Sequence, residues 1–120
     1  MASKASLTDV KKARVTIDID GEEYTLIPSP DAIITLSTKY DGIAPVMAAI
    51  GRMNVIAMAD TVNAGLGFEG SKAREMLRSV ASSNLLELMP KLTDFAAILA
   101  NGGRPLTAEK EEGEGGKNPL

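Results

Sequence analysis

The Asp20-Gly21 pair, set between two stretches of alternating apolar and polar residues, constrains this chain more than any other feature. The flanks read Val15-Thr16-Ile17-Asp18-Ile19 and Glu22-Glu23-Tyr24-Thr25-Leu26, an alternation that suits strands. Asp-Gly fits a type I′ turn, whose central residues both need a positive φ. A turn this short fixes the register, placing Ile19 opposite Glu22, Ile17 opposite Tyr24 and Val15 opposite Leu26. One face then carries Val15, Ile17, Tyr24 and Leu26, and the other carries Thr16, Asp18, Glu23 and Thr25. Asp18 across from Glu23 is a like-charge pair tolerable only in water, so the apolar face turns inward. An isolated hairpin is marginal in water, and this one therefore needs helices packed against it.

The rest of the chain reads as helix. Pro28-Ser29-Pro30 stops the second strand, with Ser29 as N-cap and Pro30 at the first helical position, where its missing N–H costs nothing. The first helix is predicted over 30–40, with Ile33, Leu36 and Tyr40 on one stripe, and Asp41-Gly42 ends it. A second, Ala-rich helix is predicted over 44–51, with Pro45 in its first turn. A third follows over 53–64, carrying Val55, Met58, Ala59 and Val62 at helical spacing. Residues 65–70 read as a loop, and Ser71 is expected to cap a fourth helix over 72–82 (Ala73, Met76, Leu77, Val80). The fifth, over 84–100, is the most apolar, and Pro90 inside it is expected to kink or split it. Asn101-Gly102-Gly103 is a strong stop. The predicted fold is α+β: an N-terminal two-stranded antiparallel hairpin packed on a bundle of four to five helices.

A chain of 120 residues forms one domain with a modest core. We place that domain at 13–102, preceded by a mobile basic arm (1–12, with Lys4, Lys11 and Lys12) and followed by a disordered, acidic, Gly-rich tail (103–120). With two Tyr, two Phe and no Trp, the core must be built from Ala, Leu, Ile, Val and Met. The absence of Cys and His removes disulfides, thiol nucleophiles, imidazole bases and the usual zinc and haem ligands together. A net charge of −3 argues against general affinity for nucleic acid, which needs a basic face. No apolar run approaches a membrane span or the core of an export signal, so a cytoplasmic location is expected.

Two motifs imitate chemistry. Gly65-Leu66-Gly67-Phe68-Glu69-Gly70 matches G-x-G-x-x-G, but a dinucleotide loop must leave a strand and enter a helix, and here a helix precedes it. The phosphate-loop reading fails because Ser71-Lys72 has the order reversed. The plain reading is a helix–helix connection with Phe68 turned into the core. Asp18-Ile19-Asp20-Gly21-Glu22 resembles part of a calcium loop, yet that alignment puts Thr16 and Ile27 at the first and last ligand positions. Nothing selects Asp60 or Glu87 as a general base. No cofactor or metal is expected.

The methionines are the other feature. Met47, Met53, Met58, Met76 and Met89 spread over four predicted helices. They fill gaps in a core of small side chains, or some of them line an adaptable groove for a partner segment. Under the second reading the groove lies between the second and third helices and is lined by Met47, Ile50, Met53, Val55 and Met58.

The stretch from Val15 to Pro28, followed by Ser29-Pro30-Asp31-Ala32-Ile33-Ile34-Thr35-Leu36, Tyr40-Asp41-Gly42-Ile43 and an Ala-rich run to Asn63-Ala64-Gly65-Leu66, resembles the tail assembly chaperone-like proteins of tailed phages and gene transfer agents. The likeness covers about 13–66, and 71–101 as a helical pattern. It implies a non-enzymatic protein of the bacterial host cytoplasm that binds an apolar segment of a phage tail protein, the tape measure protein or a tail tube subunit, while the tail is built. The alternatives are a structural tail component that stays in the virion and an unrelated bacterial protein-interaction domain. The resemblance supplies no catalytic or ligand residues.

Overall fold

The hairpin forms as the turn chemistry requires. The computed structural model describes residues 13–106, and within them β1 (Val15–Ile19) pairs antiparallel with β2 (Glu22–Leu26). Asp20 and Gly21 take φ of 56° and 77°, and Ile19 faces Glu22, Ile17 faces Tyr24 and Val15 faces Leu26. Ile17, Ile19 and Leu26 are buried, while Val15 and Tyr24 are half-buried at the margin. Thr16, Asp18, Glu23 and Thr25 face solvent, where the Thr16 and Thr25 hydroxyls lie 3.4 Å apart.

Five helices follow: α1 (Pro30–Tyr40), α2 (Ile43–Gly51), α3 (Val55–Leu66), α4 (Gly70–Ala81) and α5 (Leu85–Ala100). The fold is therefore α+β, a hairpin on a helical bundle. Three of the helices begin on side-chain caps that satisfy otherwise orphaned N–H groups. The Ser29 hydroxyl accepts from the Ala32 N–H at 3.1 Å. Asn54 Oδ1 accepts from Ala57 at 3.1 Å, and Asn84 Oδ1 accepts from Leu86 and Glu87. Asp41 closes α1 in the left-handed region, with φ of 61°. The core joins the inner hairpin face to α1 (Leu36), α2 (Val46, Ile50), α3 (Met58, Val62), α4 (Met76, Val80) and α5 (Leu92, Phe95, Leu99). Each of these side chains contributes about 1.5–3 kcal/mol by leaving water, large against a total stability of roughly 5–15 kcal/mol.

Three boundaries differ from the sequence expectation. The stretch 65–70 is not one loop: α3 runs on through Gly65 to Leu66, and only residues 67–69 lie between the helices. Gly67 ends α3 in the left-handed conformation, its N–H bonded to the Asn63 carbonyl at 2.7 Å. Next, α4 begins at Gly70 with Glu69 at the cap position, so Ser71 lies within the first turn and caps nothing. Finally, Pro90 does not split α5, which is continuous over 16 residues. Pro90 sits on the exposed side, so the bond it forfeits, to the Leu86 carbonyl, lies toward water. On the opposite side Leu88, Leu92, Phe95 and Leu99 form an unbroken buried stripe that holds the helix together.

The predicted arm 1–12 and the tail from 107 onward lie outside the described residues. The first residues after α5 stay against the fold. The Gly103 N–H bonds to the Ile98 carbonyl at 2.8 Å. A Cβ at Gly103 would lie 2.7 Å from the Pro28 carbonyl oxygen, at the strand–helix junction.

Candidate functional site

A cleft of about 510 Å³ lies between α1 and the α3–α4 corner. Contacts at two points fix its frame. At one end the Tyr40 hydroxyl donates to Asp60 Oδ2 at 2.6 Å, and Lys39 Nζ lies 3.0 Å from the same oxygen. At the other end the Ile27 N–H donates to the Gly65 carbonyl at 2.9 Å. Thus α1 and α3 run antiparallel along the cleft.

The lining mixes apolar and polar groups: Ile27, Ala64, Leu66 and Phe68 are half-buried along it, Ala32 and Leu36 lie buried beneath as core, and Ser29, Asp31, Thr35, Lys39, Asp60, Asn63 and Glu69 also line it. Phe68 packs half-buried against the core, and Lys72 Nζ stands 4.7 Å above its ring centroid. Two of the polar lining residues, Asp60 and Asn63, are engaged within the fold. Asp60 is engaged by Tyr40 and Lys39 together. Burial pushes the Tyr40 hydroxyl well above its ordinary range, aided by its bond to the Asp60 carboxylate and by that carboxylate's charge. Asn63 forms part of the wall. Its Nδ2 donates to the Ala73 carbonyl at 3.2 Å and ties α3 to α4, while its buried Oδ1 accepts nothing among the described residues. A concave surface that mixes apolar and polar groups in this way can take a chain segment or a small ligand.

The methionine groove does not assemble as expected. Ile50 and Met58 are both 0% exposed and belong to the core, so they present no surface to a partner. Met47, Met53 and Val55 are half-buried and pack against that core from outside. The reason lies in helical phase: Val46, Ile50 and Met58 fall on the inward stripes of α2 and α3, where apolar burial takes precedence over exposure. Met53 adopts a left-handed backbone, with φ of 58°, in the position after the α2 cap that glycine usually fills. There its N–H bonds to the Ile50 carbonyl and the Asn54 N–H to the Ala49 carbonyl.

The cleft draws its residues from three separate segments, so no spacing in the sequence announces it. The G-x-G-x-x-G stretch joins two helices, the geometry of a helix connection rather than of a dinucleotide loop. Among the described residues no helix is long and apolar enough to cross a membrane. No family model matches the chain, no curated protein matches its sequence, and no solved structure matches its fold.

Proposed function

We propose that this protein is a non-enzymatic tail assembly chaperone-like protein of the bacterial cytoplasm. It holds an apolar segment of a tail protein, the tape measure protein or a tail tube subunit, in the cleft between α1 and the α3–α4 corner. The observation that carries this reading is the cleft's construction. Half-buried apolar side chains (Ile27, Ala64, Leu66, Phe68) share its lining with polar ones, and Asp60, one of the three carboxylates there, is tied to both Tyr40 and Lys39. Such a carboxylate fastens α1 to α3, and a partly apolar cleft suits reversible cover of an apolar stripe. The resemblance of residues 13–66 to tail assembly chaperone-like proteins supplies the partner class.

The test is co-expression with a candidate tape measure protein, followed by affinity capture. The reading requires that this protein retain the partner and keep it in the soluble fraction. Failure on both counts overturns it. Purified virions separate the chaperone from a structural tail component, because a chaperone is absent from them and a structural subunit is present in fixed ratio.

A further inference from the structure

We infer that Asn101 is a modification site gated by the fold: its side-chain amide converts to an aspartyl or isoaspartyl carboxylate when the last turn of α5 opens, and stays intact while that turn is closed. The asparagines of this chain precede Val55, Ala64, Leu85, Gly102 and Pro119, so Asn101 alone precedes glycine. A following glycine puts no side chain in the way of its own backbone nitrogen. That nitrogen, once it has given its proton to solvent, attacks Asn101 Cγ. A new N–Cγ bond closes a succinimide ring, and the Cγ–Nδ2 bond breaks to release ammonia, which takes a proton back from solvent. Water then adds to either ring carbonyl and opens the ring, leaving an aspartate or an isoaspartate. Water is the only co-reactant.

The closed turn opposes each part of this step. The Gly102 N–H donates to the Leu99 carbonyl at 3.0 Å, so the nucleophile is engaged. Asn101 Nδ2 donates to the Arg104 carbonyl at 3.3 Å, and Arg104 Nε donates to the Asn101 carbonyl at 3.3 Å. Ring closure also needs the Asn101 Cα–C bond turned until the Gly102 nitrogen eclipses Cβ. At the observed ψ of 20° that nitrogen lies nearly opposite Cβ. Reaction therefore waits on local opening, which costs least at the ends of elements. Conversion changes the structure in turn. A carboxylate at the C-terminal end of α5 opposes the helix dipole. The extra backbone carbon of an isoaspartate displaces Gly103, whose N–H bonds to the Ile98 carbonyl beside Pro28. The junction between β2 and α1 loosens as a result.

The test is ageing of the full chain at mildly alkaline pH, with conversion at Asn101 followed by peptide mapping and mass spectrometry. Conversion is at least about tenfold slower in buffer than in denaturing urea, because only the open fraction reacts. Gly102→Ala suppresses it in urea, where the fold plays no part. Gly103→Ala strains a backbone at φ of 82° and crowds the Pro28 carbonyl oxygen. It speeds conversion in buffer and leaves the urea rate unchanged, with circular dichroism verifying that the variant folds. Hydrogen exchange on the folded wild type gives an independent measure, in which the Gly102 amide is protected. Equal rates in buffer and urea, no conversion at Asn101 in urea, or an unprotected Gly102 amide overturns the inference. So does a folded Gly103→Ala that converts no faster than the wild type.

Discussion

Gly65 and Leu26 approach so closely that a methyl group on Gly65 would sit 2.8 Å from the Leu26 Cβ. The same methyl would lie 3.1 Å from the Phe95 ring. The close approach lets the strand exit dock on α3, where the Ile27 N–H reaches the Gly65 carbonyl. The cleft begins at this junction, so its shape depends on a residue without a side chain.

Gly65→Ala therefore destabilises the protein despite the better helix former. Overpacking against a Cβ and a buried ring costs about 1–3 kcal/mol, against a helix-propensity gain of about 1 kcal/mol. Gly51, near the end of α2, meets nothing within 4 Å. Gly51→Ala is accordingly stabilising, by about 0.5–1 kcal/mol. Denaturant midpoints of the two variants move in opposite directions; a shift of the same sign in both contradicts the close-packing account.

The hairpin register gives a second pair. Ile17 points into the core and its neighbour Thr16 into solvent. Ile17→Asp buries a charge without a partner and costs several kcal/mol. Thr16→Asp stays within about 0.5 kcal/mol. Reversal of that ranking in urea titrations places the strands one residue out of register.

Tyr40 links stability to pH. Its hydroxyl is raised above its ordinary value of 10.0 in the fold, through burial first and then the Asp60 carboxylate. The folded state thus favours the neutral phenol. The stabilisation is fully present below the unfolded value and declines as pH rises above it toward the folded value. Stability of the wild type falls more steeply above pH 10 than that of Tyr40→Phe, as measured by chemical denaturation at a series of pH values. Equal slopes for the two proteins show that the fold does not raise the Tyr40 phenol.

Met58 behaves as core. Met58→Ala costs about 2–5 kcal/mol, because the cavity it leaves lies among Val62, Leu92 and other fully buried side chains. Thermal unfolding measures this, and a loss below about 1 kcal/mol would place Met58 at a surface.

The legible parts of this fold are those fixed by neighbours in sequence. Asp20-Gly21 specifies its turn, the turn specifies the register, and Ser29-Pro30 specifies the start of α1. The parts that were misread depend on distant residues. Gly65 reads as a helix breaker, yet it continues α3 because Leu26 and Phe95 require the space. Pro90 reads as a kink or a split, and of these the split does not occur, because the buried stripe from Leu88 to Leu99 carries α5 past it. Ile50 and Met58 read as groove residues because pattern alone does not separate an inward stripe from an adaptable surface. The cleft has no sequence signature, since Ile27, Thr35, Asn63 and Phe68 meet only after α1 folds back along α3.

The chain contains no cysteine, so a single introduced thiol reports one position on the surface. Thr35 is exposed on the cleft wall, and Met47 is half-buried on α2 in the surface first expected from sequence. Thr35→Cys and Met47→Cys, each carrying a thiol-linked photocrosslinker, are to be compared in complex with the captured tail protein. Crosslinking from Thr35 and little from Met47 is the result predicted for a partner held in the cleft. Crosslinking from Met47 with none from Thr35 contradicts it and moves the partner to the α2 surface.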